Sequence, residues 1–216
     1  MICIYVLSVD SLKQSGFDRL LQELPFGDAE KLRLSAINSD IRKWESLGGL
    51  LALERLVRKL SPQELRDIIR TDGGKPYFVG PSPLPFSISH SHGICAAAVA
   101  SGNHREIGLD IEVIDESFVR NGVAQRFFTP EEKLRFELCQ GSPESFFAIW
   151  TAKESRSKLD GSGLSSILGA KEASGDEPVY VSQLTVECDK RRVMASICSH
   201  VANEPIRIYS DSELCK

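Results

Sequence analysis

WTAKESRSK, residues 150–158, is the stretch around which the rest of the chain is organised. A helix repeats about every 3.6 residues, so one face of it contains Phe147, Trp150, Thr151, Glu154 and Lys158. This face is apolar at its start and charged at its end. An i,i+4 glutamate–lysine pair is most often a solvated surface pair worth about 0.2–0.5 kcal/mol. The alternative is a cleft in which each of the two charges meets a ligand, and the rest of the sequence decides between them.

Composition limits the classes of function. The net charge of −4 and the pI of about 5.7 argue against a general affinity for nucleic acid or anionic membranes, so any anion site must be local. The six cysteines form no C-x-x-C pair, which argues against structural zinc and favours a reducing compartment. The first ten residues, MICIYVLSVD, have no basic start and only a short apolar run, so no signal peptide or membrane span is predicted. We expect a cytoplasmic protein.

Hydrophobic periodicity predicts an α+β fold. The predicted strands are residues 2–7, 86–90, 94–100, 107–113, 179–186, 192–199 and 205–209. The predicted helices are residues 17–24, 28–37 with Asp28 as N-cap, 41–60, 62–69, a run from Thr129 and Pro130, and 145–159, while 119–128 is helical or mobile. Each half thus runs from strand to helices to strands, which predicts two similar lobes, residues 1–105 and 106–216, joined near residues 101–106.

Two acids lie two residues apart in IGLDIEV, residues 107–113. In a strand, Asp110 and Glu112 project from one face while the apolar residues project from the other. Neighbouring carboxylates repel each other, and hard oxygen ligands of this kind suit Mg²⁺. The alternative is the solvated face of an edge strand.

Two further stretches offer groups that hold phosphate. Ser89 and His90 lie in FSISHSHG, residues 86–93, where hydroxyl, imidazole and backbone amide groups can bind an anion together, although a structural loop is the alternative. A Ser–His hydrolase is disfavoured because the G-x-S-x-G elbow is missing. Lys75 stands between a flexible Gly-Gly and Pro76, which either positions its ammonium for a phosphate or makes an ordinary turn with a solvated lysine.

In this order, five stretches together resemble the Sfp-type 4'-phosphopantetheinyl transferases: GKP (74–76), FSISHS (86–91), IGLDIE (107–112), RFFTPEE (126–132) and WTAKES through Lys158. The resemblance implies two α+β lobes related by a pseudo-twofold, each an antiparallel sheet with packed helices, and an active site in the cleft between them. It implies transfer of the phosphopantetheine arm of coenzyme A to a serine of an apo acyl or peptidyl carrier protein, with release of adenosine 3',5'-bisphosphate. This chain has His92 before Gly93 where the family usually has glycine directly after the His-Ser pair.

The resemblance also implies roles for individual residues. The acids of a Mg²⁺ site, with Mn²⁺ as an alternative ion, are Asp110, Glu112 and Glu154. The residues that hold coenzyme A are Lys75, Ser89, His90, Lys158 and Lys31, with Arg33 beside the last. The base that activates the carrier serine is Glu154, acting directly or through a metal-bound water, or else Glu132.

The carrier protein is expected to be acidic, so a basic or apolar patch near the cleft should face it. Residues 119–136 are the best sequence candidate, with Arg120, Arg126, Lys133, Arg135, Phe127 and Phe128, although a solvated helix of mixed charge fits equally well. A monomer is expected because one chain supplies both lobes. The alternatives are a catalytically silent coenzyme A or nucleotide-binding module and an unrelated Mg²⁺-dependent phosphohydrolase.

Overall fold

The computed structural model describes residues 1–102, 106–119, 121–161 and 177–214. Its strands are β1 (Ile2–Ser8), β2 (Ile68–Arg70), β3 (Pro76–Phe78), β4 (Phe86–Ser91), β5 (Ile94–Ala100), β6 (Ile107–Val113), β7 (Tyr180–Cys188), β8 (Arg191–Ser199) and β9 (Ile206–Tyr209). Its helices are α1 (Val9–Lys13), α2 (Phe17–Glu23), α3 (Asp28–Ser35), α4 (Asp40–Leu60), α5 (Asn121–Phe127), α6 (Pro130–Leu138), α7 (Pro143–Asp160) and α8 (Asp211–Leu214). Two short 3₁₀ turns are Pro62–Glu64 and Glu116–Phe118.

Two main sheets organise these elements. The first has the order β4-β5-β1-β9, in which β1 pairs antiparallel with β5 and parallel with β9. The second has the antiparallel order β6-β8-β7, and β2 and β3 form a separate hairpin. The C-terminal strand β9 therefore completes the sheet that contains the N-terminal strand, and the expected antiparallel sheet is wrong for this one, which is mixed.

The two sheets pack against each other and are covered by helices on their outer sides. Alternate residues of β1 show this: Ile2 and Ile4 pack against the second sheet, whereas Cys3 and Tyr5 pack against α4 and its neighbours. All seven residues of β5 are buried for the same reason. Continuous apolar strands of this kind are typical of sheets covered on both faces.

Close contacts between helix and strand depend on a few glycines. A Cβ atom at Gly108 of β6 would overlap the Ser155 carbonyl oxygen and lie 2.6 Å from the Leu159 backbone nitrogen of α7. On the other side of the molecule, Gly48 and Gly49 allow α4 to approach β4 and β5. The glycine of β6 thus lets α7 lie with its backbone directly on the strand that carries the predicted acids.

The predicted α+β class and most of the predicted elements are confirmed, and the predicted N-terminus of α6 has a full capping box between Thr129 and Glu132. The helix predicted over residues 62–69 is wrong. Only Pro62–Glu64 is helical, as a 3₁₀ turn, and the β-branched pair Ile68-Ile69 pairs with β3 in a hairpin. Asp28 is the first helical residue of α3 rather than its N-cap, a position that Gly27 takes.

The division into lobes at residue 105 and their pseudo-twofold relation stay predictions, and residues 103–105 of the expected link lie outside the described residues. Among the described helices, none is both long enough and apolar enough to cross a membrane.

Candidate active site

A cleft of about 390 Å³ opens between the C-terminal half of α7 and a wall built by α3, α4, β4 and the turn before β3. Its lining includes Arg33, Ser46, Leu50, Arg70, Gly73, Gly74, Lys75, Phe86, Ser87, Ile88, His90, Glu154, Ser157, Lys158 and Gly161. Four side chains predicted from the sequence, Lys75, His90, Glu154 and Lys158, therefore lie in one cavity. Because most of its charged lining is cationic, the cleft suits an anionic ligand.

Lys158 joins the floor of this cleft to β6. Its Nζ donates to Asp110 Oδ1 at 2.7 Å and to Ser89 Oγ at 2.7 Å, and Ser89 in turn donates to the same carboxylate oxygen at 2.8 Å. Asp110 is only 5% exposed, so the alternative of a solvated strand face is wrong for this residue. The ammonium of Lys158 thus forms an ion pair with Asp110 of β6 rather than a solvated surface pair with Glu154.

Glu112 and Glu154, the other two predicted metal ligands, have too little positive charge near them to balance their own negative charge. Burial, and then the Asp110 carboxylate, raise the pKa of Glu112 to about 7, although hydrogen bonds from Ser91 and Trp150 act in the opposite direction. Burial and Asp110 likewise raise the pKa of Glu154 to about 7 against the attraction of Lys158. Two neighbouring carboxyl groups with raised pKa values indicate a site that is short of positive charge.

These residues fit a divalent cation in their chemistry. The second oxygen of Asp110, Oδ2, is buried and has no hydrogen-bond partner in the described part of the chain, and buried polar atoms are seldom left in this state. Carboxylate oxygens are the ligands that Mg²⁺ prefers. Within the described residues, no three carboxylate, imidazole or thiol side chains are grouped closely enough to hold an ion as they stand. The set Asp110, Glu112 and Glu154 therefore stays a prediction that the electrostatics favour.

His90 is held from behind by a buried acid of α4. Glu45, which is 6% exposed, contacts His90 Nδ1 through Oε2 at 3.3 Å and accepts the Gly93 N–H through Oε1 at 2.7 Å. His92 and Gly93 both have positive φ values, +48° and +79°, and form the two-residue turn between β4 and β5. The extra histidine before glycine is thus accommodated in a tight hairpin that Glu45 ties to α4.

A second buried acid, Glu30 of α3, orders two arginines at another part of the wall. Its Oε1 accepts from Arg70 Nη2 at 2.6 Å and from Arg33 Nη2 at 2.7 Å, and both guanidinium groups line the cleft. Burial raises the pKa of Glu30, but the hydrogen bonds from Arg70 and Arg33 outweigh it, so that this pKa lies below its usual value. The buried carboxylate is fully used in holding the two cations.

Lys75 lies where the turn before β3 meets the end of α7. Its Nζ donates to the Leu159 carbonyl oxygen at 2.7 Å and forms an ion pair with Glu106. The turn comes close to α7 at this point, because a Cβ atom at Gly73 would lie 2.6 Å from the Gly161 carbonyl oxygen. The Gly-Gly-Lys turn predicted from the sequence is therefore packed against the other half of the molecule.

Other predicted residues lie outside the cleft lining. Glu132 binds Lys153 Nζ through both oxygens, at 3.1 and 2.9 Å, and caps α6 by accepting the Thr129 N–H. Lys31 of α3 is directed toward α2, where its Nζ donates to the Gln22 carbonyl oxygen at 3.3 Å. Asp110, Ser89 and Glu112 are not among the lining residues and lie in or beside the wall beneath Lys158.

Sequence reasoning missed three residues of this site: Arg70, Glu30 and Glu45. Arg70 could have been found from its place directly before the Thr-Asp-Gly-Gly-Lys turn. Glu30 and Glu45 lie on helices with ordinary surface charges around them, so the sequence carries no signal that they are buried.

Comparisons with known proteins agree with this geometry. Residues 106–204 match the model of the 4'-phosphopantetheinyl transferase superfamily. The chain is 30% identical over 160 residues to the 4'-phosphopantetheinyl transferase AcpT of Escherichia coli O157:H7, a match that covers 73% of this chain and 75% of that protein. It is 30% identical over 166 residues to the 4'-phosphopantetheinyl transferase gsp of Aneurinibacillus migulanus, covering 76% of this chain and 61% of that protein.

A third relative is the 4'-phosphopantetheinyl transferase HetI of Nostoc sp., 34% identical over 91 residues that make up 40% of this chain and 36% of that protein. The chain thus spans less than two thirds of the Aneurinibacillus and Nostoc relatives and three quarters of the Escherichia coli relative. The match to the Escherichia coli relative assigns the family, and the superfamily match to the half that carries β6 and α7 agrees with it. The chain belongs to the 4'-phosphopantetheinyl transferase superfamily.

Proposed function

We propose that this protein transfers the 4'-phosphopantetheine group of coenzyme A to a serine hydroxyl of an apo acyl or peptidyl carrier protein, with Mg²⁺ or Mn²⁺ as cofactor. The observation that carries the proposal is the cleft that Lys75, His90, Lys158 and Glu154 line together, with Lys158 bound to the buried Asp110. Cations on one side and undercompensated acids on the other suit a diphosphate that brings its own divalent ion.

The reaction is a phosphoryl transfer. The serine oxygen of the carrier forms a bond to the β-phosphorus of coenzyme A, the bond from that phosphorus to the bridging oxygen breaks, and adenosine 3',5'-bisphosphate leaves. The serine proton passes to a base, for which we propose Glu154 because it lines the cleft, whereas the carboxylate of Glu132 is bound to Lys153 and to the start of α6.

The cations of the cleft bind and orient the coenzyme. Lys158 and Lys75 lie at the two sides of the end of α7, and we assign them to the diphosphate, where they stabilise the negative charge that grows during the transfer. His90 is assigned to a coenzyme phosphate, with Arg33 and Arg70 as a further anion-binding pair. Lys31 of α3 stays a predicted contact of the coenzyme.

Asp110, Glu112 and Glu154 would hold the divalent ion, and the orphaned Oδ2 of Asp110 is the atom that most needs it. Such an ion supplies positive charge that neutralises the diphosphate oxygens and lowers the repulsion from the acids. Without it, three carboxyl groups beside the diphosphate would oppose binding.

We propose that the carrier binds at α5 and α6. In α6, Leu134 and Leu138 lie one turn apart and are 57% and 76% exposed, with Arg135 between them. Exposed leucines with an arginine beside them suit the surface of an acidic carrier. Phe128, which was expected in this patch, is buried in the aromatic cluster below, and Arg120 lies outside the described residues.

The test is the mass of a panel of apo carrier proteins after incubation with the protein, coenzyme A and Mg²⁺. Transfer predicts that at least one carrier gains the phosphopantetheine mass and that adenosine 3',5'-bisphosphate appears with it. A silent coenzyme A-binding module leaves every mass unchanged, and a phosphohydrolase consumes coenzyme A without any carrier. Cytoplasmic location and a monomeric state stay predictions that accompany this proposal.

A further inference from the structure

Strand β4 offers a hydroxyl group at every second residue, and these hydroxyls take the place of a neighbouring strand along β6. Ser87, Ser89 and Ser91 share one face of β4 and are 6%, 3% and 5% exposed. Their Oγ atoms accept backbone hydrogen bonds, at 2.9, 3.2 and 3.3 Å, from the N–H groups of Leu109, Ile111 and Val113. The offset of 22 residues is constant, so the three contacts form a regular ladder.

The direction of the Ser91 hydroxyl follows from its partners. A serine hydroxyl has one proton to donate and two lone pairs to accept with. Val113 N–H occupies one lone pair, and Glu112, when it is ionised as a metal ligand must be, can only accept and receives the proton. His92 Nδ1, 2.9 Å away, therefore donates to the second lone pair. The hydroxyl is saturated, and its proton is held on Glu112.

Ser89 repeats the arrangement one rung along the ladder. It accepts from Ile111 N–H and from Lys158 Nζ, and its single proton is donated to Asp110 Oδ1. Ser87 makes the same backbone bond, but among the described contacts its hydroxyl has no carboxylate partner. The ladder thus contains two rungs that touch acids and one that does not.

We propose that Ser89 and Ser91 are positioning residues that fix the directions of the Asp110 and Glu112 carboxylates toward a divalent ion. This inference rests on the proposed function, because it assigns the ladder to the same acids. A carboxylate with one oxygen held by a fixed hydroxyl keeps its other oxygen free in a defined direction, as hydrogen-bond partners of metal ligands do. Ser87 lines the cleft and supports the backbone of β6, but among the described contacts it touches neither acid.

The experiment compares Ser91→Ala with its matched control Ser87→Ala. Both variants leave one buried backbone N–H without an acceptor, so both are expected to lower the melting temperature. Mn²⁺ binding is then measured by electron paramagnetic resonance of the free ion at saturating coenzyme A, so that a change in coenzyme affinity at Ser87, which also lines the cleft, does not enter the comparison. Ser91→Ala is expected to weaken Mn²⁺ binding about tenfold or more, whereas Ser87→Ala stays within about twofold of the wild-type protein.

A second pair, Ser91→Cys and Ser87→Cys, keeps the polar side chain and tests the same point if an alanine variant does not fold. A thiol is a weak donor, so only the variant at residue 91 is expected to lose Mn²⁺ affinity. Equal Mn²⁺ affinities of the matched variants would overturn the positioning role while leaving the metal site intact. A wild-type protein that binds no Mn²⁺ would instead overturn the metal assignment of the proposed function, and this inference with it.

Discussion

Two buried glutamates in the first half of the chain and two acids in the second half show opposite shifts in pKa. Glu30 and Glu45 have lowered pKa values, because their contacts with Arg70, Arg33 and His90 and with a backbone N–H outweigh the effect of burial. The pKa values of Glu112 and Glu154 are raised to about 7, because burial and mutual repulsion outweigh their partners.

The difference shows how the two sides of the cleft divide the work. In the first half, acids are buried behind cations and hold them toward the cleft, so the charges of the protein balance each other. In the second half, Lys158 and the serines hold the acids, and these groups supply less positive charge than the acids require. The first side of the cleft can therefore bind an anion with the protein's own charges, whereas the second side needs added positive charge.

The largest expected effect comes from the acid that faces the cleft. Glu154→Gln should lower the rate of carrier modification about 10²–10⁴-fold, because it removes the base and one of the predicted metal ligands. Glu132→Gln is the matched change outside the cleft and should lower the rate less than about tenfold. The measurement is kcat with an apo carrier, and a larger loss for Glu132→Gln would transfer the role of base to that residue.

Substitution of Lys158 and of Lys75 compares the contributions of two cleft cations to kcat and KM. Lys158→Ala should lower kcat about 100-fold with little change in the KM for the carrier, because its proposed partner charges besides Asp110 are on the coenzyme and in the transition state. Lys75→Ala should lower kcat less and raise the KM for coenzyme A more, because Lys75 Nζ is also held by the Leu159 carbonyl oxygen and Glu106. Steady-state kinetics with each substrate varied separates the two, and a wild-type kcat for Lys158→Ala would remove that residue from the reaction.

Substitution of one glycine in each of the two helix–strand contacts tests how closely each helix is held to its strand. Gly108→Ala places a methyl group against the backbone of α7 and should destabilise the protein by about 3 kcal/mol, at the upper end for overpacking. Gly49→Ala meets a side-chain atom, Ile88 Cγ2, rather than backbone, and should cost less, about 1–2 kcal/mol. Urea unfolding gives both free energies, and an equal cost would show that α7 is free to move away from β6.

The smallest effect is the pH dependence of the buried acid behind the arginines. The pKa of Glu30 is lower in the folded protein than in the unfolded chain, so its ionised form stabilises the fold at pH values above its unfolded pKa of about 4.3. Glu30→Gln should therefore be less stable than the wild type at neutral pH, by about 1–2 kcal/mol. The gap should shrink as the pH falls through the folded pKa, and a gap that is constant down to pH 2 would contradict the ion-pair explanation.

The sequence was most informative where local patterns decide the structure. The alternation in β6, the cap of α6 and the apolar-to-charged face of α7 were all predicted, and the glycine and proline beside Lys75 correctly indicated a turn. The cleft then contains four of the side chains that were predicted to act together.

The sequence was least informative where distant segments meet. The parallel pairing of β9 with β1 joins the two ends of the chain, and no local pattern indicates it. The burial of Glu30 and Glu45 likewise depends on which helix face packs against the sheet. The alternating serines of β4 were visible in the sequence, but their partners on β6 become known only from the packing of the two sheets.

The central claim is that the acid side of the cleft needs a divalent ion before coenzyme A can bind well. Calorimetric titration of the wild-type protein with coenzyme A, once with Mg²⁺ and once with EDTA, tests it directly. The account predicts binding at least about tenfold tighter with Mg²⁺, equivalent to about 1.4 kcal/mol. Equal affinities under the two conditions would contradict it.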